Sequence, residues 1–275
     1  MIPALSQVCS LNSPFAKDVE DYAAGGCAAM EVWLTKLEAY LESHSIDELR
    51  RLLEKHEMLV PVASLQGGLL VSQGEERSVH WEHFTRRLSL CQNLNIGTLV
   101  VACDIAEPLT QETLDRASAS LVQAAELSSS HGVRIALEFQ RQAAFGNNLQ
   151  TTVMMVAEAD NPHVGICLDA FHFLTGPSKY ADLGYLNAEN LFHVQLCDLA
   201  GVPRELATDS QRILPGDGDY PLEPIIDHLR SINYQGHVSV ELMNPQIWQV
   251  PALQFGEIAM NALNRLLQPS ENPAG

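Results

Sequence analysis

Residues 134–139 read Arg-Ile-Ala-Leu-Glu-Phe, residues 164–169 read Val-Gly-Ile-Cys-Leu-Asp, and residues 237–242 read His-Val-Ser-Val-Glu-Leu. Each is a short apolar run with a carboxylate at or near its C-terminal end: Glu138, Asp169 and Glu241. A parallel strand covered on both faces reads as an almost unbroken apolar run, so an acid at its end needs a reason. Residues 191–197, Leu-Phe-His-Val-Gln-Leu-Cys, place His193 in the same kind of setting.

Outward from these four, the same alternation of short β-branched runs and longer segments of helical period fills the chain. Ala4–Cys9, Ala29–Leu34, Leu59–Leu65 and Thr98–Cys103 complete a set of eight expected strands. Helical stretches such as Ile46–Lys55, Trp81–Leu94, Gln111–Ser129, Leu222–Ile232 and Ala252–Leu267 lie between and after them. Ser45 stands where it would cap the first of these, and Gly97, Gly132 and Gly236 stand where helices hand over to strands. Eight βα units close most economically as an α/β (β/α)8 TIM barrel, and a doubly wound open sheet is the local alternative.

Length and composition agree with one such domain. The chain has 275 residues, close to the roughly 250 of a typical α/β barrel. The expected organisation is a single barrel over 1–268 and a flexible C-terminal tail over 269–275. A hydrophobic share of 46% against 18% charged residues gives material for a large core. The formal net charge of −18 repels phosphate backbones and anionic lipid, so no nucleic acid and no membrane is expected as a partner. No run approaches the ~20 apolar residues of a spanning helix, and the N-terminus lacks the basic start of a secretory signal. The six cysteines show no CxxC pairing, which favours reduced thiols and a cytoplasmic location.

Strand residues alternate faces, so Ala136, Cys167 and Ser239 share a side with the three acids, and all three are small. They leave room at the C-terminal mouth of a barrel, where the active sites of this fold lie. One strand-terminal acid usually caps a helix or pairs with a base, and one strand histidine is usually a satisfied core residue. Four at the ends of four successive strands point to convergence. Three carboxylates in one cavity repel or protonate unless a cation lies among them. A divalent metal held by Glu138, Asp169, His193 and Glu241 resolves the conflict, with Mn²⁺ or Mg²⁺ preferred and Co²⁺ or Zn²⁺ admitted. This ligand reading predicts that His193→Ala lowers metal affinity first.

The chain resembles the xylose isomerase-like TIM barrels that include sugar phosphate isomerases and epimerases. Their relatives are tagatose-type 3-epimerases, hydroxypyruvate isomerases, inosose dehydratases and dehydroshikimate dehydratases. The resemblance covers almost the full chain and is carried by Leu137-Glu-Phe, Leu168-Asp-Ala-Phe-His172, Phe192-His-Val-Gln-Leu-Cys-Asp198, Arg212-Ile-Leu-Pro-Gly-Asp-Gly218 and Gly236-His-Val-Ser-Val-Glu241. It implies the same four ligands, and substrate contacts from His172 and from Arg212, with Arg204 as a competitor for the arginine's place. Cys197 departs from the basic residue often found before this Asp, which weakens the case for a phosphorylated substrate. Gly216-Asp-Gly218 equally reads as a plain tight turn.

The resemblance implies a metal-dependent isomerase or epimerase acting on a small carbohydrate-like ketose. Glu138 and Glu241 would serve as base and acid around an enediolate. A dehydratase or lyase acting on an inosose or dehydroshikimate-like ketone shares the first step and is the runner-up, with His172 protonating the leaving hydroxyl. A DNA-cleaving barrel needs a basic face that this charge denies, and a non-catalytic sugar-binding barrel would show a damaged ligand set. Gln66 lies near the mouth as a further substrate contact. Glu31 also lies there and reads first as structural. Trp33, Phe171 and Trp248 offer an apolar wall but more often mean packing. His44, His56, His80, His83 and His131 carry no assigned chemistry. Homo-oligomers are usual among such relatives.

Overall fold

The computed structural model describes residues 1–106 and 108–268. The expected tail at 269–275 lies outside the described residues. Eight parallel strands follow one another around a closed barrel, and β1 (Ile2–Ser6) pairs with β8 (His237–Val240) to complete it. Between them, in chain order, come α1 (Phe15–Ala24), β2 (Ala29–Trp33), α2 (Leu34–Leu41), α3 (Ile46–Lys55), β3 (Leu59–Gln66), α4 (Gly74–Leu94) and β4 (Thr98–Cys103). Then follow α5 (Gln111–Ser130), β5 (Arg134–Phe139), α6 (Leu149–Ala159), β6 (Val164–Asp169), α7 (Ala170–Thr175), β7 (Leu191–Leu196) and α8 (Glu223–Ser231). After β8 the chain ends its described part in α9 (Ala252–Leu267). The closed order excludes the open doubly wound sheet.

β4, β5 and β6 have the expected bounds, and the first strand does not. It ends at Ser6, and Gln7–Ser10 turn into a 3-10 helix. The cause is polar: Gln7 Nε2 and Ser10 Oγ donate to the two oxygens of buried Asp18 at 3.0 and 2.9 Å, which draws this segment out of the sheet toward α1. α4 starts at Gly74, seven residues before its apolar period, with Glu75 and Glu76 in the first turn where the helix dipole favours acids. Ser45 caps α3 as expected, in a full capping box with Glu48. Gly132 takes a positive φ at its handover, but at Gly97 and Gly236 the left-handed residue is Asn95 or Asn233 instead.

The larger core lies between barrel and helices, while the barrel interior holds a small apolar floor of Val62, Val100, Ala136, Cys167 and Phe192. Register fixes what stands above that floor. Glu138 is level with Cys167, and Cys167 with His193. Asp169 is level with Gln195, and Gln195 with Ser239. All six cysteines are buried and free. Among the described residues no helix is long and apolar enough to cross a membrane.

Candidate metal centre

Asp169 ends β6 and caps α7, its Oδ1 accepting from the backbone N–H of Phe171 and His172 at 2.5 and 3.2 Å. That leaves Oδ2 for the barrel mouth, where it meets Arg212 Nη1 at 2.7 Å. The same nitrogen lies 2.8 Å from Glu241 Oε2, so the carboxylates of β6 and of the β8 end converge on one cation-sized position. Glu138 stands beside them, and Glu138, Asp169 and His172 offer ligand atoms that all lie within 4.8 Å of one another. Gln140 Nε2 donates to Glu138 Oε2.

Electrostatics separate the acids into two kinds. Burial drives the Glu138 carboxyl well above its usual range and nearby Asp169 adds to the push, against a weaker pull from Arg212. Glu241 is likewise driven well up, by burial first, with Arg212 opposing. Asp169 is buried too, yet the charge of Arg212, helped by His172 and the hydrogen bond from Arg212, holds it below the usual carboxylate range. One arginine therefore serves two of the three carboxyls, Asp169 and Glu241, and makes no ion pair with Glu138. The convergence of three buried carboxyls, two of which resist ionising without a further positive charge, fits a divalent cation, with Glu138, Asp169 and Glu241 as oxygen donors and His172 at the same space.

Arg212 is 2% exposed and is placed by a device the sequence shows only in part. Asp198, just past β7, bridges to Ile213 and accepts from the backbone N–H of Gly216, Gly218 and Tyr220 at 3.1 Å each. A Cβ on Gly218 would lie 2.3 Å from Asp198 Oδ1, so only glycine lets the turn close on this carboxylate. The Gly216-Asp-Gly218 turn thus anchors the segment that delivers Arg212 to the carboxylates. Phe171 packs beneath the guanidinium, with Arg212 Cζ 4.4 Å from its ring centroid. Arg204 is exposed and paired with Glu205, outside this group.

Two expected members do not join. His193 is fully buried, and its Nε2 is turned to Glu31 Oε2 at 2.9 Å and Ser239 Oγ at 3.3 Å. It is the β7 residue two positions below the level of Asp169; the residue at that level is Gln195, whose Nε2 lies 2.9 Å from Glu241 Oε1. Gln66 is buried, and its amide is taken up by Gly67 O and by Arg87, which is itself paired with Glu38. None of its hydrogen bonds reaches the carboxylates. Trp33 and Trp248 serve structure, Trp33 packing on the core and Trp248 Nε1 donating to Val8 O at 2.7 Å. Gln140 and Gln195 were the residues that sequence reasoning missed; a neutral amide in or beside an apolar strand is a weak signal, though Gln195 lies two positions from His193 on the same face.

A cavity of about 390 Å³ is lined by Leu65, Ala102, Asp104 and Ile105 with Gln140 and Gln142, and it adjoins the centre through Gln140, the partner of Glu138. Fold and site together define a (β/α)8 barrel with an acid-rich, cation-competent mouth. The chain belongs to the xylose isomerase-like TIM barrel family, whose profile matches residues 19–263. It is similar to an inosose isomerase of Halalkalibacterium halodurans, 27% identical over 88% of this chain and 87% of that one. It is also similar to a 3-dehydroshikimate dehydratase of Pseudomonas aeruginosa, 26% identical over 86% of this chain and 37% of that longer protein. In fold it matches a crystal structure of the IOLI protein with a bound zinc atom, with a TM-score of 0.90, 23% identity, and 97% and 98% of the two chains covered.

Proposed function

We propose that the protein is a divalent-metal-dependent isomerase of a cyclic polyhydroxy ketone, working through proton removal beside the carbonyl. The observation that carries this reading is the single cation position shared by Asp169 and Glu241 with Glu138 at its side. The inosose isomerase relative supports the substrate class. Mn²⁺ or Mg²⁺ suits the carboxylate donors best.

When bound, the ion supplies Lewis acidity that polarises a carbonyl and its neighbouring hydroxyl. Glu138 takes the proton from the carbon beside that carbonyl, and its orientation is set by the Gln140 amide. Glu241 returns a proton from the other side; return to the same carbon epimerises, and return to the former carbonyl carbon isomerises, the neighbouring hydroxyl's proton passing to the former carbonyl oxygen. Arg212 and His172, both buried at the mouth, hold substrate oxygens. The neighbouring cavity offers Leu65, Ala102 and Ile105 to a ring face and Asp104, Gln140 and Gln142 to its hydroxyls.

The similarity to a 3-dehydroshikimate dehydratase supports a second reading, in which the same enolate expels a β-hydroxyl with a proton from His172. Incubation of Mn²⁺-reconstituted protein with an inosose and with 3-dehydroshikimate, followed by NMR of the products, separates the two. An isomeric ketone is the expected product. An unsaturated product with loss of water overturns the isomerase reading in favour of the dehydratase.

A further inference from the structure

Beneath Glu241 lies a connected set of buried polar groups that the chemistry above does not use. The Glu31–His193 pair is fully buried, and its second carboxylate oxygen, Glu31 Oε1, accepts from Gln195 Nε2 at 2.8 Å. The same amide nitrogen donates to Glu241 Oε1 at 2.9 Å, while Gln195 Oε1 faces the Cys167 thiol at 3.1 Å. Two carboxylates on one side and a thiol donor on the other settle which way the amide faces. Its NH₂ end points at the acids, so this β7 residue presents hydrogen-bond donors to the site and no ligand oxygen.

We propose that Gln195 is a positioning residue for the metal centre: it fastens Oε1 of Glu241 to the buried Glu31–His193 pair and so leaves Oε2, which meets Arg212 Nη1 at 2.8 Å, as the oxygen a metal would take. The proposal rests on Glu241 being a metal ligand. Each part has a physical reason. A neutral amide can donate to two carboxylates at once, where a lysine would bring a charge that competes with the metal and an acid would add a third anion. Glu31 is buried yet held as the charged form, because the attraction and hydrogen bond of His193 outweigh the burial that pushes it up. His193 is thereby the fixed point of the chain and not its working end. A carboxylate tied at one oxygen has one rotamer to offer, which is how outer partners tune metal affinity.

A double-mutant cycle on Mn²⁺ affinity tests this, with dissociation constants measured by the electron paramagnetic resonance signal of the free ion. Gln195→Met removes the donors and keeps the length; it is expected to weaken Mn²⁺ binding by ~10-fold or more, as loss of an outer partner does. In a Glu241→Gln background the same change is expected to matter by less than about twofold, because the group it positions is gone. Equal affinity of Gln195→Met and the unsubstituted protein overturns the proposal, as does the same fold-loss in both backgrounds. Gln195→Asn, one methylene too short to reach both acids, takes the place of Gln195→Met if that variant does not fold. Failure of the unsubstituted protein to bind Mn²⁺ overturns the metal reading itself, and is recognised before any substitution is made.

Discussion

His193→Ala is expected to act on stability before it acts on metal binding. The substitution leaves Glu31 a fully buried carboxyl with the Gln195 amide but without its hydrogen bond to His193, and losing a buried hydrogen bond to a charged group costs about 1.5–3 kcal/mol. Urea unfolding monitored by circular dichroism gives this loss directly; an unchanged midpoint with a large fall in Mn²⁺ affinity would restore His193 as a ligand. The contrast between His193 and the acids shows how far single residues were legible. Glu138, Asp169 and Glu241 stood out because a charge at the end of an apolar strand is costly unless used. His193 stood out for the same reason and was used for something else. Which of His193 and Gln195 reaches the mouth depends on the pairing register of β6 with β7, where a shift lies between Ile166 and Cys167. Local sequence does not contain that register. Arg212 was singled out by the family resemblance alone, and the Asp198 clamp that places it spans 20 residues from Asp198 to Gly218 and appears only in three dimensions.

Helix caps and inter-helix pairs carry predictions of their own. Ser45→Ala removes the capping box of α3, so a loss of roughly 1 kcal/mol is expected in denaturant unfolding with no change in metal binding. Glu38 on α2 accepts from Arg87 of α4 at 2.8 Å and from His83 at 2.9 Å, tying two helices of the outer ring. Its burial pushes the carboxyl up, but the Arg87 hydrogen bond and charge, with His83, bring it below its ordinary value. A carboxyl lowered on folding contributes stability that is present above its unfolded pKa and is lost as pH falls through the folded one. Glu38→Gln is therefore expected to be less stable than the parent near neutrality, with the difference shrinking in acid. Partial exposure keeps the effect small, and a gap that widens in acid would contradict the assignment. At this scale the central strands were the best read, since β4, β5 and β6 are short and almost wholly buried runs. β1 was displaced because Gln7 and Ser10 answer to Asp18, a tertiary partner that strand propensity does not see.

The closure of eight strands, with β1 against β8, is a property of the whole molecule. Periodicity supplied the count of strands and left the open sheet standing. What closure adds is function: it brings Glu138 from β5, Asp169 from β6 and Glu241 from the end of β8 to one mouth, though they span 104 positions of the chain from Glu138 to Glu241. The chain's net charge of −18 gives a mean field that favours the approach of a cation over that of an anion. The central claim is that these carboxylates and a divalent ion together remove a proton beside a carbonyl. Its most direct test is deuterium incorporation from D2O, followed by NMR, into a panel of ketoses, inososes and cyclic keto acids. Mn²⁺-loaded protein, chelator-treated protein and the Glu138→Gln variant are compared. The account predicts exchange at the carbon next to the carbonyl with the loaded protein alone, and a folded but exchange-dead Glu138→Gln. Exchange that survives both chelation and Glu138→Gln, or none on any member of the panel, would contradict it.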